Sequence, residues 1–326
     1  MEKKISVAVI GVGYWGKKVA SEYATLSQTD QDVDFTAVCD VFDSNAKFCA
    51  EKYNLPFVTT DPQEILLNPN IDAVHVCTPS ETHYNICNEA LLNGKHVTIE
   101  KPMTLNSLEA IKLVDLAHEK KRVLSVGHIF RFDAAVEKAR ELVQNGWFGK
   151  LYWIKLTWVA LMPPMIGRDI ITDLAPHPFD ILNFLTDYWP AAITCVARAH
   201  REGQKEETAH ITAEFENNMM AHIEVSWLNP EKTREIQIMG SERFAKIDCV
   251  NQKIIACEKE HFFEIPVVKS NTINRELSHF IQCIKDKETS NPLFYNKNNG
   301  LVGANVVKLL ETTKKASESR MTLRVI

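Results

Sequence analysis

The pattern of apolar and polar positions changes character near residue 150. Before it, short β-rich, mainly apolar runs recur at 5–10, 35–39, 73–77, 96–100 and 123–127, with a weaker one at 57–58. Between them lie helical patterns at 17–25, 45–53, 62–67, 82–92 and 105–119. Continuous apolar strands suit a parallel sheet covered on both faces, and parallel strands need crossover helices. The expected element is a doubly wound α/β domain over 1–127. A further helix over 134–145 ends near Gly146 and Gly149.

Beyond residue 150 the period shifts from helical to two. Strands are expected at 152–159, 193–199, 210–215, 222–227, 235–239 and 244–248. Asn217-Asn218 can supply the positive φ angles of a hairpin turn. Around it Ile211, Ala213 and Phe215 alternate with polar residues, as do Ile223, Val225 and Trp227. One face is thus apolar and one polar, as in an antiparallel sheet packed on helices from one side. Ile273, Leu277, Phe280, Ile281 and Ile284 form one stripe of a late helix, and 301–315 reads as another. The second domain, 128–326, is expected to be α+β with a mainly antiparallel sheet.

At 326 residues the chain exceeds one ordinary core, which supports two domains. A net charge of -5 gives no electrostatic support to a nucleic-acid or membrane-surface role. The apolar start is broken by Gly11, Gly13, Gly16 and Lys17, so it reads as a first strand rather than a targeting segment. No apolar run approaches the length of a membrane span. The eight cysteines form no C-x-x-C pair, and several sit inside apolar strands. The expectation is a cytoplasmic protein with no disulfides and no metal site.

Gly11-Val12-Gly13-Tyr14-Trp15-Gly16 joins the first expected strand to the first helix. In that setting G-x-G-x-x-G points to a dinucleotide. The first glycine allows the tight turn, the second lets the pyrophosphate reach the backbone, and the third lets helix and strand pack closely. The helix N-terminus supplies N–H groups and partial positive charge for the phosphates. Asp40 ends the second strand, where a carboxylate accepts from the ribose hydroxyls and repels a 2′-phosphate. NAD is therefore expected over NADP. Thr78-Pro79 and Glu100-Lys101-Pro102 close the fourth and fifth strands, at the edge where such sheets bind ligands. His83 fits that crevice or a packing role equally. A lysine at position 101 could hydrogen-bond a reacting oxygen and stabilise its developing charge.

G-x-G-x-x-G, Asp40, T-P-x-x-x-H (Thr78 to His83), E-K-P (Glu100 to Pro102) and D-x-x-x-H (Asp173 to His177) occur in this order. In that respect the whole chain resembles the Gfo/Idh/MocA oxidoreductases. The resemblance implies a Rossmann domain joined to an open-faced β-sheet domain, acting on sugars, inositols and related polyols. It further implies that Lys101 and His177 are the catalytic lysine and histidine. His177 would act as general base, Lys101 would polarise the oxygen, and Asp173 would orient substrate or imidazole. Asp173 is expected one helical turn before His177, on the same face. Ala175 stands where many members have glycine, which bears on turn geometry.

Residues 126–132, Arg168-Asp169 and 226–234 resemble the branch that acts on UDP-linked N-acetylhexosamines and their uronic acids. That implies oxidation at C3 of a nucleotide sugar, with Arg168 and Arg234 as cations for the diphosphate. Lys232 reads equally as a surface cation, and His128 and Arg131 equally as packing residues. A free sugar or inositol dehydrogenase, or a 3-ketosugar reductase, keeps the same residues. A dinucleotide-sensing regulator and an NAD-dependent glycosidase are the readings from other classes. Retention of Lys101, Asp173 and His177 argues against the regulator. The open sheet, with Trp153, Trp158 and Trp227 nearby, predicts a homo-oligomer, a dimer or tetramer.

Overall fold

The computed structural model describes residues 4–165, 167–288 and 295–325. The chain forms two compact units. The first comprises the described residues of Met1–Ile129 and Asn271–Asn305. Its strands are β1 (Ile5–Ile10), β2 (Val33–Cys39), β3 (Phe57–Thr59), β4 (Ala73–Val76), β5 (His96–Ile99) and β6 (Leu124–Val126). The helices between them are α1 (Tyr14–Thr29), α2 (Asp43–Tyr53), α3 (Pro62–Leu66), α4 (Ser80–Leu92) and α5 (Ser107–Glu119). All six strands are parallel, in the order β3-β2-β1-β4-β5-β6. Strand order reverses between β1 and β4, which opens a crevice at their carboxyl ends. β1, β4, β5 and β6 are buried along their whole length, as continuous apolar strands should be.

The second unit comprises the described residues of Phe130–Ser270 and Val306–Ile326. It holds α6 (Ala134–Gln144), β7 (Leu151–Leu161), α7 (Ile170–Leu174), α8 (Pro176–Thr186), β8 (Ala192–Arg198), β9 (Thr208–Glu214), β10 (Met220–Ser226), β11 (Leu228–Gly240), β12 (Phe244–Asp248), β13 (Lys253–Glu258) and β14 (His261–Ile265). Then follow α9 (Thr272–Glu288) in the first unit, α10 (Gly300–Ser319) and, again in the second unit, β15 (Leu323–Arg324). Nine strands form one sheet, β14-β13-β12-β11-β7-β10-β9-β8-β15. Every neighbouring pair is antiparallel except β7 with β10. In the β9–β10 hairpin Ile211 faces Ile223 and Ala213 faces Ala221, and all four are buried. The turn holds Asn218 at φ 62, the left-handed conformation expected there. Its apolar face joins Phe179, Ile181 and Leu182 of α8 in the unit's core.

Four features depart from expectation. The second domain was expected to run unbroken from 128, but the chain returns to the first unit at Asn271. The stripe of α9 explains the return: Leu277, Phe280, Ile281 and Ile284 lie in one core with Val7, Val19, Tyr23 and Phe35. Burying each such side chain stabilises by about 1.5–3 kcal/mol. Secondly, Trp158 and Trp227, expected near a face left for a partner, are core residues, 0% and 1% exposed. Thirdly, β11 starts seven residues early, its register against β7 shifting between Leu228 and Thr233 around Pro230. Proline lacks the ladder donor and is accommodated at such irregularities. Lastly, Asp173 and His177 lie on α7 and α8, which meet at Ala175, not on successive turns of one helix. Pro176 at the first position of α8 has no N–H to continue α7.

Candidate active site

The glycine turn is built as its sequence requires. Gly11 has φ +88, and a Cβ there would stand 2.8 Å from the Cys77 carbonyl carbon. A Cβ on Gly16 would fall on the Gly11 carbonyl, so this glycine is needed for helix-on-turn packing. Gly13 differs: its Cβ direction is open, with no protein atom within 4 Å. Space, not packing, is what this glycine preserves. Gly13 is also the N-cap of α1 and gives it no side-chain cap, nor does the first turn hold an acid. By contrast Asn106, Asp133 and Asp169 cap α5, α6 and α7 with their side chains. The uncapped N–H groups of α1 and the open side of Gly13 fit a dinucleotide pyrophosphate.

Asp40 braces this turn. Its Oδ2 accepts from the Val12 N–H at 2.8 Å and its Oδ1 from the Phe42 N–H at 2.9 Å. Tyr14 is exposed, with the Lys18 ammonium 4.4 Å from its ring centre. Trp15 turns the other way, and its Nε1 donates to Glu100 Oε1 at 2.6 Å.

Glu100 closes a buried network at the end of β5. His75 Nε2 lies 3.2 Å from the same Oε1. Burial pushes the Glu100 carboxyl up, but the hydrogen bonds of His75 and Trp15 and the charge of Lys101 outweigh it and hold it below its ordinary value. Gly127 leaves room for this carboxylate, since a Cβ there would stand 2.6 Å from Oε2. His75, Cys77 and Glu100 bring three potential metal-ligating atoms within 4.8 Å of one another. Glu100 Oε1 is already engaged by both Trp15 and His75, so His75 and Glu100 read as part of a hydrogen-bonded brace, with Cys77 beside them. Lys101 follows, half-buried, before Pro102. Thr78 is half-buried and Pro79 exposed beyond β4. His83 is buried, both ring nitrogens on main-chain carbonyls.

The second unit gathers its own cluster. His177 is half-buried, and the Phe130 ring stands edge-on to it at 5.1 Å between centres. Phe130 meets Trp158 in the same manner at 5.0 Å. Asp173 Oδ2 accepts from Trp227 Nε1 at 3.1 Å. Arg234 lies 5.9 Å over the Trp158 ring, and its Nη1 donates to the Val159 and Thr233 carbonyls. Burial pushes the Arg234 guanidinium down to about 10, against the pull of Asp173. Arg131 is buried: Nε donates to Asp180 at 2.6 Å and Nη2 to Asn183 at 2.8 Å, both on α8. Arg168 and Lys232 are exposed.

Sequence reasoning gave no role to Phe130 or His75, and placed Trp227 only on the apolar face of the sheet and near a partner, not beside Asp173. Phe130 and Trp227 lie inside the segments that carried the resemblance, but their partners are distant in sequence, and an alternation that marks a buried face does not name what it meets.

Residues 5–128 match the oxidoreductase family with an NAD-binding Rossmann fold, and 136–245 the GFO/IDH/MocA C-terminal domain. A UDP-N-acetylglucosamine 3-dehydrogenase from Acidithiobacillus ferrooxidans is 31% identical over 246 residues, 76% of this chain and 74% of that one. The chain belongs to the Gfo/Idh/MocA family. As a member of that family it is an oxidoreductase whose first unit is an NAD-binding domain. Another relative, the NAD-dependent scyllo-inositol 2-dehydrogenase of Bacillus subtilis, is 25% identical over 89% of both chains. A D-glucoside 3-dehydrogenase of Escherichia coli is 37% identical over 45% of this chain and 41% of its own. Among solved structures, the Acidithiobacillus enzyme superposes with a TM-score of 0.85 at 24% identity, covering 98% of this chain and 99% of that one. A levoglucosan dehydrogenase with NADH gives 0.89 at 17% identity, over 99% and 100%; both likenesses concern the fold. Among the described residues no helix is long and apolar enough to cross a membrane.

Proposed function

We propose that this chain is an NAD-dependent sugar dehydrogenase acting at the C3 hydroxyl of a UDP-linked N-acetylhexosamine. The observation that carries the reading is the 31% identity, over three quarters of the chain, with an enzyme of that name. The D-glucoside relative is also a 3-dehydrogenase, which supports C3 more firmly than it supports the nucleotide. The Gly11–Gly16 turn and the N-terminus of α1 would hold NAD, which would supply a hydride acceptor for the carbinol carbon. Asp40, with one oxygen on the Val12 N–H of the glycine turn and the other on the Phe42 N–H, would meet a 2′-phosphate with negative charge, which favours NAD over NADP.

The chain's own groups divide the remaining work. His177 removes the hydroxyl proton as general base. Lys101 donates a hydrogen bond to the oxygen as negative charge develops on it. Asp173, anchored by Trp227, orients the substrate. Arg168, exposed before α7, is assigned to the diphosphate. Arg234 has two donors committed to carbonyls, so we assign it to Asp173 rather than to phosphate.

The test is purified protein with NAD and UDP-N-acetylglucosamine, its N-acetyluronic acid form, free sugars and inositols, following reduced nicotinamide. Turnover of a nucleotide sugar with a 3-keto product supports the reading, and turnover only of unlinked compounds refutes its substrate. That second outcome, a free-polyol or glycoside dehydrogenase, is favoured by the inositol relative's match over 89% of the chain.

A further inference from the structure

His83 sits in α4, 1% exposed. Its Nε2 lies 2.8 Å from the Thr78 carbonyl oxygen and its Nδ1 3.0 Å from that of Pro102. These contacts differ in what they connect. Thr78 leads directly into α4, so the first closes only the local entry to that helix. Pro102 follows Lys101 beyond β5, so the second ties α4 to the turn that carries this lysine. Proline has no N–H, and its carbonyl is the one main-chain group by which a hydrogen bond can hold it.

Both partners are acceptors, so each bond needs a proton on the ring. A neutral imidazole supplies one and an imidazolium two. Burial pushes the His83 pKa down, while the carbonyls of Thr78 and Pro102 and the charge of Glu100 oppose that push. A buried carbonyl left without its donor is costly, so the Pro102 oxygen favours a ring that is protonated on Nδ1.

We propose that His83 is a positioning residue for Lys101: its Nδ1–H donates to the Pro102 carbonyl and fixes the turn that presents the ammonium. The proposal rests on the reading of Lys101 as the group that stabilises the reacting oxygen. His83 then acts through the lysine and touches neither substrate nor cofactor. Displacing a catalytic group by about 1 Å lowers turnover by roughly 100-fold.

Asparagine and glutamine separate the two bonds, because the amide nitrogen of Asn falls near Nδ1 and that of Gln near Nε2. His83→Asn is expected to keep kcat within about threefold, and His83→Gln to lower it by about 10- to 100-fold with the KM for NAD little changed. Equal losses in both variants, tracking a shared fall in Tm, would mean that the ring only fills space, and would overturn the proposal. So would a His83→Gln enzyme as fast as the parent. Lys101 can be followed without turnover by reductive methylation with 13C, its resonance assigned by its loss in Lys101→Arg. That signal is expected to move in His83→Gln and to stay in His83→Asn; no movement in His83→Gln overturns the inference. In the unsubstituted protein, 15N-labelled histidine reports the ring protons directly, and a bare Nδ1 at the assay pH is equally fatal. A parent enzyme inactive on every sugar would defeat the proposed function, while the two resonance measurements still decide the role of His83.

Discussion

The helix that carries His177 is held by a buried charge pair, and breaking that pair should be costly. Arg131 and Asp180 are 3% and 1% exposed, with Nε and Oδ1 2.6 Å apart. Asn183 accepts from Nη2 at 2.8 Å, and the guanidinium lies 5.2 Å from the Phe184 ring centre. Asp180→Asn keeps the shape and removes the charge, leaving Arg131 buried without this carboxylate. Removing one partner of such a pair costs about 3–5 kcal/mol, a large share of a typical total of about 5–15. Arg131→Met should cost less than the carboxylate change, because a buried carboxylic acid can be neutral whereas a guanidinium stays charged. The double variant should be less unstable than the sum of the singles by about 2 kcal/mol or more, since no uncompensated charge remains. Urea unfolding followed by tryptophan fluorescence suits the test, because Trp158 and Trp227 are buried in the same core. A loss under about 1 kcal/mol for Asp180→Asn, or simple additivity in the cycle, refutes the reasoning. His177 lies three residues before Asp180, so folded Asp180→Asn should also turn over more slowly than its thermal stability alone explains.

Other perturbations separate binding, chemistry and folding. Gly13→Ala meets no protein atom, so it should leave Tm nearly unchanged yet weaken NAD binding by calorimetry, whereas Gly16→Ala should lower Tm outright. Asp40→Ser removes the charge assigned to the ribose in the proposed function; the NADP to NAD ratio of kcat/KM should rise by about tenfold or more, while NAD affinity falls. Lys101→Ala and His177→Ala should each reduce kcat by about 100-fold or more with NAD still bound, and near-normal turnover in His177→Ala removes it as base. Burial, aided by the charge of Arg122, pushes His96 down to about 3, and its Nδ1 accepts from the Val123 N–H. The unfolded chain takes up this proton near the ordinary 6.5 and the folded one does not. Stability from this group is therefore complete above about 6.5 and falls by about 1.4 kcal/mol per pH unit between there and about 3. Unfolding measured across that range should flatten in His96→Asn; an unchanged slope removes His96 as its source.

The first unit was legible because its signals are local. Most of its β-strands are mainly apolar runs, and the glycine turn states its own conformation through Gly11 and Gly16. The apolar stripe of α9 was equally legible, but not the core it enters: a stripe says that a helix face is buried, not against what. In the second unit, β14 reads poorly because Phe262 and Phe263 are adjacent and both exposed, so the alternation that marks a half-buried strand is missing. β15 is two residues long, too short for any pattern. The spacing of Asp173 and His177 implied one helix, and Pro176 should have warned of a break between them. The contacts of Phe130 with His177 and of Trp227 with Asp173 join residues 47 and 54 apart in sequence. Such pairings are made by tertiary structure alone, where single-sequence reasoning has no purchase.

The return of the chain at Asn271 bears on how this protein is made. Domains that are continuous in sequence can fold as they leave the ribosome, N-terminal first, at about 5–20 residues per second. Here the first 129 residues emerge with an apolar face whose cover, Leu277, Phe280, Ile281 and Ile284, has not yet been synthesised. Roughly 150 residues separate the two parts, a delay of about 8–30 seconds at those rates. During that interval the nascent Rossmann sheet is open to chaperones and to misassociation, and a fragment cut at residue 129 would never leave that condition.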